Sequence, residues 1–542
     1  MAKSKKEQIV ALFEEARKGY ELVKQDFLVL EYGYLNKLPD EKLEELKRRG
    51  KSVITPKKIY AKIRRILISI MKTYFENNEF AKLTPIFDTD TNKQQIQKLQ
   101  MAFDNWINRR VNFYTRIRPI VRDSLVYGTC CAKIYWNNGL HLERIKPHDF
   151  WLDPNAENIF DIQYVVNRVY TTISLLKKQF GNKKIFRKYI GSQIESSEIP
   201  FSQDDLGDTS RIEVYDIYRL INGKWYVSTM LPDYSFVRVD EPLKDGLPFV
   251  FGIVENQFTY TGEKTIKALG YPIVDLMIPL QEQYTITINQ QFDAIDKQLN
   301  PQFLATKQAG LSEKTLRSNK KLLQVTDLNN VRELPQPNVN QSFLTTDRVE
   351  LDLQEVSGIT KLSQGIIDKH QNTTATGMTI LTQEANEVVA DIIRSLNESF
   401  FEPLIKRIVK LIYKYDENPL LYGLNRTQNI DFKVQINTGV GATNKEVQLQ
   451  AITTAEQTAM QNLQIAMQMG DAETAKMYRD ILNKLYVEKL ATIGLKNIQH
   501  DMKGVMDNGE QQSDAGAGAT LQSEVAGNQI NQADFSMAGN AE

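Results

Sequence analysis

The stretch GYPIVDLMIPLQEQYTITINQQFDAIDKQLNP, residues 270–301, decides how the chain is read. Pro272 and Pro279 stand near its start and Asn300-Pro301 closes it. One helix of about 29 residues is expected over 271–299, ~43 Å long at 1.5 Å per residue. Gln281, Glu282, Gln283, Asn289, Gln290 and Gln291 interleave with Leu280, Ile286, Ile288, Phe292 and Ile295, so polar residues lie all round it. A single apolar stripe of this kind does not bury such a helix inside a monomer. Packing against further copies would, and a head-to-tail contact that closes on itself gives a ring.

Working downstream, residues 301–340 are short and mixed: Phe303 to Thr306, Lys321 to Val325, then the Pro335-Gln336-Pro337 brake. A second helix is expected over about 341–362. Residues 363–376 are polar, with Gly365, Asn372 and Thr373-Thr374, and read as a loop. A third, longer helical pattern runs to about Tyr415. Pro403 lies inside it, and a proline there clashes with the preceding turn, so a kink near Ser399 is expected. A short strand, Phe432 to Ile436, leads through Gly439-Val440-Gly441 to Ala- and Gln-rich helix reaching about Lys503, with Thr443 and Glu446 as a reciprocal cap. The last 38 residues hold no Lys or Arg and are rich in Gly, Ala, Asn, Gln and Ser, a composition that does not order itself alone.

Upstream, about 120–260 has the texture of strands and turns. Cys131 to Trp136, Asn137-Asn138-Gly139 and Leu140 to Ile145 read as a hairpin. Gln163 to Tyr170, the helix Ile173 to Phe180, Arg211 to Leu220, Lys224 to Met230 and Phe249 to Val254 follow. The first 75 residues are helical: Ile9, Leu12, Phe13, Ala16 and Tyr20 recur at helical spacing, and Leu43 with Leu46 continues the habit. Ile59, Ile63, Ile66 and Ile70 form one face of a helix whose other face carries Lys57, Lys58, Lys62, Arg64 and Arg65. That basic face is either solvated or in contact with nucleic acid or an acidic partner. The whole is α+β and predominantly helical.

Composition excludes several classes. The 542 residues carry 67 Lys plus Arg against 67 Asp plus Glu, so bulk positive charge does not coat nucleic acid. Mean hydropathy is -0.40 and the longest strongly apolar run is Ile66 to Met71, too short to span a bilayer. The basic start leads into a charged helix, unlike a signal peptide. Cys130 and Cys131 are adjacent, unsuited to a structural zinc site, and a reducing compartment is the default. His141, His148, His370 and His500 are scattered. Thr261-Gly262-Glu263-Lys264-Thr265 lacks the Gly before Lys that a phosphate loop needs, and Asn444 breaks a dinucleotide fingerprint after Gly441. The carboxylate pairs Asp204–Asp205 and Asp293–Asp296 have no partner that would tune them for catalysis. No enzyme activity, cofactor or metal is expected.

The order of elements resembles that of the portal (head–tail connector) proteins of tailed bacteriophages, podovirus type. Three stretches carry the resemblance: Lys146-Pro147-His148-Asp149-Phe150-Trp151-Leu152-Asp153-Pro154 with the strand and short helix after it; Gly270-Tyr271-Pro272 through Leu280-Gln281 to Asn300-Pro301; and Thr373-Thr374-Ala375-Thr376-Gly377 opening the long helix to Pro403. The likeness covers about 120–460. It implies N-terminal helices (1–75), an α/β wing (76–270), two stem helices (271–300 and 341–362) around a clip (301–340), and a tunnel loop (363–376). A long kinked wing helix and strand (377–439), crown helices (440–504) and a flexible tail (505–542) complete the mapping.

The resemblance further implies a ring, usually a dodecamer, at one capsid vertex, through which double-stranded DNA enters and leaves without sequence preference. Its partners would be the major capsid protein, the terminase large subunit and then the head–tail adaptor. Its place would be the virion, reached through the host cytoplasm, with no membrane contact. Lys369, His370, Gln371 and Asn372 are the candidate DNA-facing residues of the tunnel loop. Lys307, Lys314, Arg317, Lys320 and Lys321 make the clip basic, for docking or for steadying DNA; docking is favoured because a ring repeats each charge on its outer face. Another oligomeric virion protein, such as a scaffold or ejection protein, is the alternative, followed by a nucleotide-dependent packaging enzyme.

Overall fold

The computed structural model describes residues 4–75, 80–86, 90–181, 183–189, 211–257, 265–300, 302–306, 329, 331–335, 340–359, 387–417, 421, 432–436, 445–469 and 472–493. The chain divides into two units, residues 1–440 and 441–542.

Helix α1 (Lys5–Leu35) starts at a reciprocal cap, in which the Glu7 N–H donates to Ser4 Oγ and the Ser4 N–H to Glu7 Oε2. Ile9, Phe13, Ala16, Tyr20, Val23, Phe27 and Leu30, three or four residues apart, are all buried. Helix α2 (Asp40–Arg48) buries nothing; its acidic first turn and basic last turn suit the helix dipole. Helix α3 (Lys58–Phe75) turns Ile59, Ile63, Ile66, Ile70 and Tyr74 inward. Strand β1 (Ala81–Pro85), helix α4 (Asp90–Asn105) with a π turn at Trp106–Arg110, and helix α5 (Phe113–Tyr127) follow.

Strands β2 (Thr129–Trp136) and β3 (Leu140–Ile145) form the expected hairpin, with Trp136 opposite Leu140 and Asn138 at φ 51° in the turn. Next come β4 (Phe150–Leu152), β5 (Tyr164–Thr172), α6 (Ile173–Phe180), β6 (Arg211–Ile221), β7 (Lys224–Met230), β8 (Phe236–Pro242) and β9 (Phe249–Ile253). The β6–β7 turn is Asn222-Gly223, both with positive φ, as a two-residue hairpin loop requires. Helix α7 (Ile273–Leu299), strands β10 (Phe303–Ala305) and β11 (Val331–Glu333), helix α8 (Asn340–Ser357), helix α9 (387–396), a π turn at Asn397–Phe401, helix α10 (Glu402–Tyr415) and strand β12 (Phe432–Ile436) complete the first unit. The second unit holds α11 (Lys445–Gln468) and α12 (Ala472–Ile493).

Every ladder is antiparallel: β3-β2-β9, the meander β4-β5-β6-β7-β8, and the pairs β1-β12 and β10-β11. Antiparallel sheets with helices packed beside them make an α+β protein, here mostly helical. One large core joins α1, α3, α5, β2, β9 and α10, and a smaller one sits under α6. Where the α5–β2 turn meets the entry to α7, Gly128 and Gly270 lie backbone to backbone; a Cβ on Gly128 would fall 2.1 Å from the Gly270 carbonyl oxygen. Only glycine fits either place.

Sequence periodicity does not locate β1, α4, α5 or β8. In α4 the buried Ile96, Leu99, Ala102 and Phe103 are diluted by Gln and Lys, and α5 carries Pro119 in its middle. At Pro403 the helix does not bend as a plain α-helix. It takes in the π turn Asn397–Phe401, which starts two residues before Ser399. The wider turn accommodates the proline, which lacks an N–H and crowds the carbonyl four residues back. Ser399 Oγ accepts the Ile253 N–H at 3.1 Å, and Ser395 Oγ donates to the Ile253 carbonyl at 3.1 Å, so the same helix run covers the edge of β9.

Candidate functional site

Helix α7, which opened the reading, carries polar side chains into its own chain. Beyond its apolar base of Ile273, Val274 and Met277, its buried side chains are Gln281, Thr285, Thr287 and Gln291. Gln281 is 1% exposed: Oε1 accepts the Ile59 N–H at 2.9 Å and Nε2 donates to the Gly33 carbonyl at 2.6 Å. It thus supplies a partner to one of the free N–H groups at the start of α3. Thr285 Oγ1 accepts from Asn36 Nδ2 at 3.0 Å, and that amide also donates to the Pro56 carbonyl at 2.8 Å.

The segment between α2 and α3 lies along α7 through two further side chains. Asn289 pairs with both backbone groups of Ile54, accepting at 2.7 Å and donating at 2.9 Å. Asp293 accepts the Ser52 N–H at 2.7 Å and faces Lys51 at 3.3 Å. Desolvation opposes the charge of Asp293, yet Ser52 and Lys51 hold its carboxyl below the usual carboxylate range. Of the polar residues that argue for outside partners, Gln281, Asn289 and Gln291 are satisfied within the chain, whereas Glu282, Gln283 and Gln290 face solvent. This narrows the need for outside partners, because Gln281 and Thr285 meet Gly33, Asn36 and Ile59 while Asn289 and Asp293 meet residues 51–54.

Apolar side chains also remain in solvent. On α7, Leu276, Ile286 and Phe292 are 44%, 52% and 47% exposed, and on the adjacent α8 Phe343, Leu344 and Leu351 are exposed too. The short hairpin β10–β11, reached directly from α7, exposes Phe303, Leu304 and Arg332 and pairs over three residues. A two-stranded ribbon of that size is marginal by itself. In the second unit α11 packs on α12, burying Ala459 and Ala466, while Met460, Ile465, Met467, Met469 and Met477 stay exposed.

Electrostatics tie α3 to α8. Lys58 Nζ is 2.8 Å from Glu350 and 4.5 Å from the Tyr284 ring centroid; burial disfavours its charge, but those two partners outweigh it and raise the pKa. Lys62 is buried and bonds the Ile359 carbonyl. Neither reading of the basic face of α3 describes these two lysines, since their partners are on the same chain; Arg64 and Arg65 do face outward.

Tyr20, Glu31, Tyr127 and His148 form a cluster that spacing could not reveal, since they come from three separate segments, α1, α5 and the turn before β4. His148 Nδ1 meets Tyr20 Oη at 2.9 Å, its Nε2 is 3.0 Å from Glu31, and Tyr127 donates to the same carboxylate at 2.7 Å. The bond to His148 outweighs burial and lowers the Glu31 pKa. Cys130 and Cys131 are free and buried, and burial pushes both thiols up. Among the described residues no His, Cys, Asp and Glu group is placed to hold a metal, and no helix is long and apolar enough to cross a membrane.

Of the expected site residues, Pro403 stands at the π turn as described. Lys307, Lys314, Arg317, Lys320, Lys321, Lys369, His370, Gln371 and Asn372, together with residues 261–264 of the phosphate-loop candidate and the cap residue Thr443, lie outside the described residues.

The arrangement is that of a structural subunit: side chains are used to join elements, and apolar surface is left over on the longest paired helices. A family model described as Phage SU10 portal protein matches residues 137–534. The chain belongs to this family; it is a phage portal protein and so a component of the virion. No curated protein matches the chain.

Proposed function

We propose that the chain is the subunit of a portal ring, usually of twelve copies, at one vertex of the capsid, and that double-stranded DNA is packaged and ejected through its central channel. The observation that carries this reading is the apolar side chains left exposed on α7 and α8: Leu276, Ile286 and Phe292 with Phe343, Leu344 and Leu351. Such a surface is stable once a neighbouring copy covers it, and repetition of one heterologous contact around an axis closes a ring. In this reading α7 and α8 are the stem, residues 301–340 the clip, 363–376 the tunnel loop, 76–270 with 377–439 the wing, and 440–504 the crown. The crown's exposed methionines suit the same kind of contact between copies.

Charge supports a conduit. Residues 271–416 hold 18 acidic and 15 basic side chains, close to balance. A ring that neutralised many phosphates would gain affinity with every counterion released, and DNA would stick where it has to slide. Lys369, His370, Gln371 and Asn372 then touch the DNA backbone weakly. The basic clip docks the terminase during packaging and the head–tail adaptor afterwards, and the wing meets the major capsid protein. The role is mechanical, and the packaging ATPase is a separate protein.

Negative-stain imaging of the purified protein tests the assembly: rings with an axial hole wide enough for duplex DNA are expected, and a compact monomer or a solid particle would overturn it. Deleting residues 366–372 tests the channel: rings remain intact while packaging or genome retention fails. Normal DNA-filled heads from that deletion would remove the tunnel loop from the reading.

A further inference from the structure

Three arginines gather on the surface formed by α3 and α5. Arg118 and Arg122 lie one turn apart on the same side of α5, and Arg64 stands exposed on α3, which packs against it. Tyr34, whose ring is 5.3 Å from that of Tyr60, lies in the field of all three: burial raises its pKa, while Arg122, Arg118 and Arg64 pull it down. Among the described residues Arg64 and Arg118 form no ion pair, and Arg118 Nε is buried without a hydrogen-bond partner. The one carboxylate near Arg122 is Asp123 at 3.9 Å, and Arg144 already holds that group through two bonds. Like charges gathered in this way cost free energy until an anion meets them.

A second surface has the opposite surplus. Asp26 on α1 and Asp275 in the first turn of α7 are close enough to repel, and burial together with the Asp275 charge pushes the Asp26 carboxyl up. Asp275 accepts from Tyr271 Oη at 3.0 Å, whereas Asp26 pairs with no cation among the described residues. Leu22 and Val29, four residues before and three after Asp26, are exposed, and so is Leu276 beside Asp275. The acidic pair therefore adjoins the exposed apolar side chains of α7. Within one subunit neither aspartate forms an ion pair with any of the three arginines.

We propose that these two surfaces meet between neighbouring copies, with Arg64, Arg118 and Arg122 of one subunit docked on Asp26 and Asp275 of the next. This deepens the portal reading and rests on it, because there one contact between unlike surfaces repeats around an axis. A second copy fits better than nucleic acid: both charge surpluses are unmatched in the free chain, the acidic one adjoins apolar surface that needs a neighbour, and arginine and tyrosine are side chains that protein interfaces favour. The charges also select the geometry. Two arginine surfaces repel each other, and so do two aspartate surfaces, so the symmetric pairing is disfavoured and the head-to-tail contact that can close is left.

Charge reversal, read by mass photometry on the full chain, tests this. Arg64→Glu with Arg118→Glu leaves a subunit acidic on both surfaces, and Asp26→Lys with Asp275→Lys leaves one basic on both. Each variant alone assembles at least about tenfold more weakly than wild type while keeping the wild-type circular dichroism. Mixed in equal amounts they form rings of wild-type size, because every surface then meets its opposite on the other variant. Wild-type ring stability from either variant alone would overturn the proposal, and so would a mixture that assembles no better than its parts. If a reversed variant does not fold, the neutral changes Arg64→Gln with Arg118→Gln, and Asp26→Asn with Asp275→Asn, carry the comparison. Each set weakens the ring, and the two together weaken it no further than the stronger set alone; additive losses would overturn the pairing. Arginine variants that assemble normally but bind duplex DNA less tightly would also overturn it and assign the surface to nucleic acid. Failure of the portal reading itself shows separately, since wild type then forms no rings.

Discussion

Replacing Ile286 probes the exposed apolar surface of α7 without removing any hydrogen bond made by Gln281, Thr285, Asn289 or Asp293. Fully burying an aliphatic or aromatic side chain contributes about 1.5–3 kcal/mol. Leu276, Ile286 and Phe292 are already covered to about half, with 44%, 52% and 47% exposure remaining. Each therefore has roughly 1 kcal/mol left to gain when a neighbour arrives. In a closed ring a departing subunit breaks two contacts, each containing one Ile286. Ile286→Ala then costs about 2 kcal/mol for subunit release, close to a 30-fold weaker ring. Ile286→Asp adds the desolvation of a carboxylate, several kcal/mol at each contact, and abolishes assembly at concentrations where wild type is fully assembled.

Folding of the subunit is expected to survive both changes within about 0.5 kcal/mol, because the side chain is half in solvent. Mass photometry across a dilution series reads assembly, and circular dichroism on the same samples reads the fold. Rings of wild-type size and stability from Ile286→Asp would refute the claim that this face is covered by a neighbour. If the aspartate variant loses its helical signal, the alanine variant decides, since a 30-fold shift remains measurable in the dilution series.

Three further outcomes follow from the same structure. Gln281→Leu, although it makes α7 more apolar, strands the Ile59 N–H in a buried place and destabilises the subunit by about 1–3 kcal/mol in denaturant unfolding of the monomer. Wild-type stability there would mean the bond contributes nothing. The Glu31 carboxyl is lowered chiefly by His148, so its contribution exists above the ordinary value of 4.5 and disappears as pH falls through the lower folded value. Glu31→Gln is accordingly less stable than wild type near pH 7, and the gap closes below pH 4.5; a gap independent of pH would contradict this. In the clip, Lys320→Glu with Lys321→Glu weakens binding to terminase and adaptor in pull-downs of assembled rings, whereas unchanged binding would favour the DNA-steadying role.

How much of this was legible beforehand depends on the kind of signal. Strong local punctuation gave α6, the turn Asn222-Gly223, the hairpin at Asn137-Asn138-Gly139 and the span of α7 between Pro272 and Asn300-Pro301, all close to their observed positions. Helices α4 and α5 were hidden because their apolar residues are sparse and Pro119 interrupts one of them. Strand β8 is hidden for another reason: it carries Arg238, Asp240 and Glu241, whose suitability depends on partners such as Arg219 on β6, which the linear order does not display. The His148 cluster was illegible on the same ground. The direction in which α7 faces could not be read either, since Gln281 and Ile286 exchange their expected roles only once the Ile59 N–H and the Gly33 carbonyl are there for the glutamine to bond.

That exchange has a mechanical consequence. Apolar contact is non-directional, so a helix held by leucines alone can slide or rotate at little cost while keeping its burial. Gln281, Thr285, Asn289 and Asp293 instead bind named backbone or side-chain atoms of 33–56 and of Ile59, and each bond is lost if α7 shifts by one residue. The inner seam therefore fixes register, and the outer face contributes association. In a ring of such subunits, neighbours can adjust their apolar contact as the ring is loaded, while the helix stays locked to its own N-terminal helices. Disrupting the seam should thus blur the position of α7 within each subunit, and disrupting the outer face should separate subunits that remain internally intact.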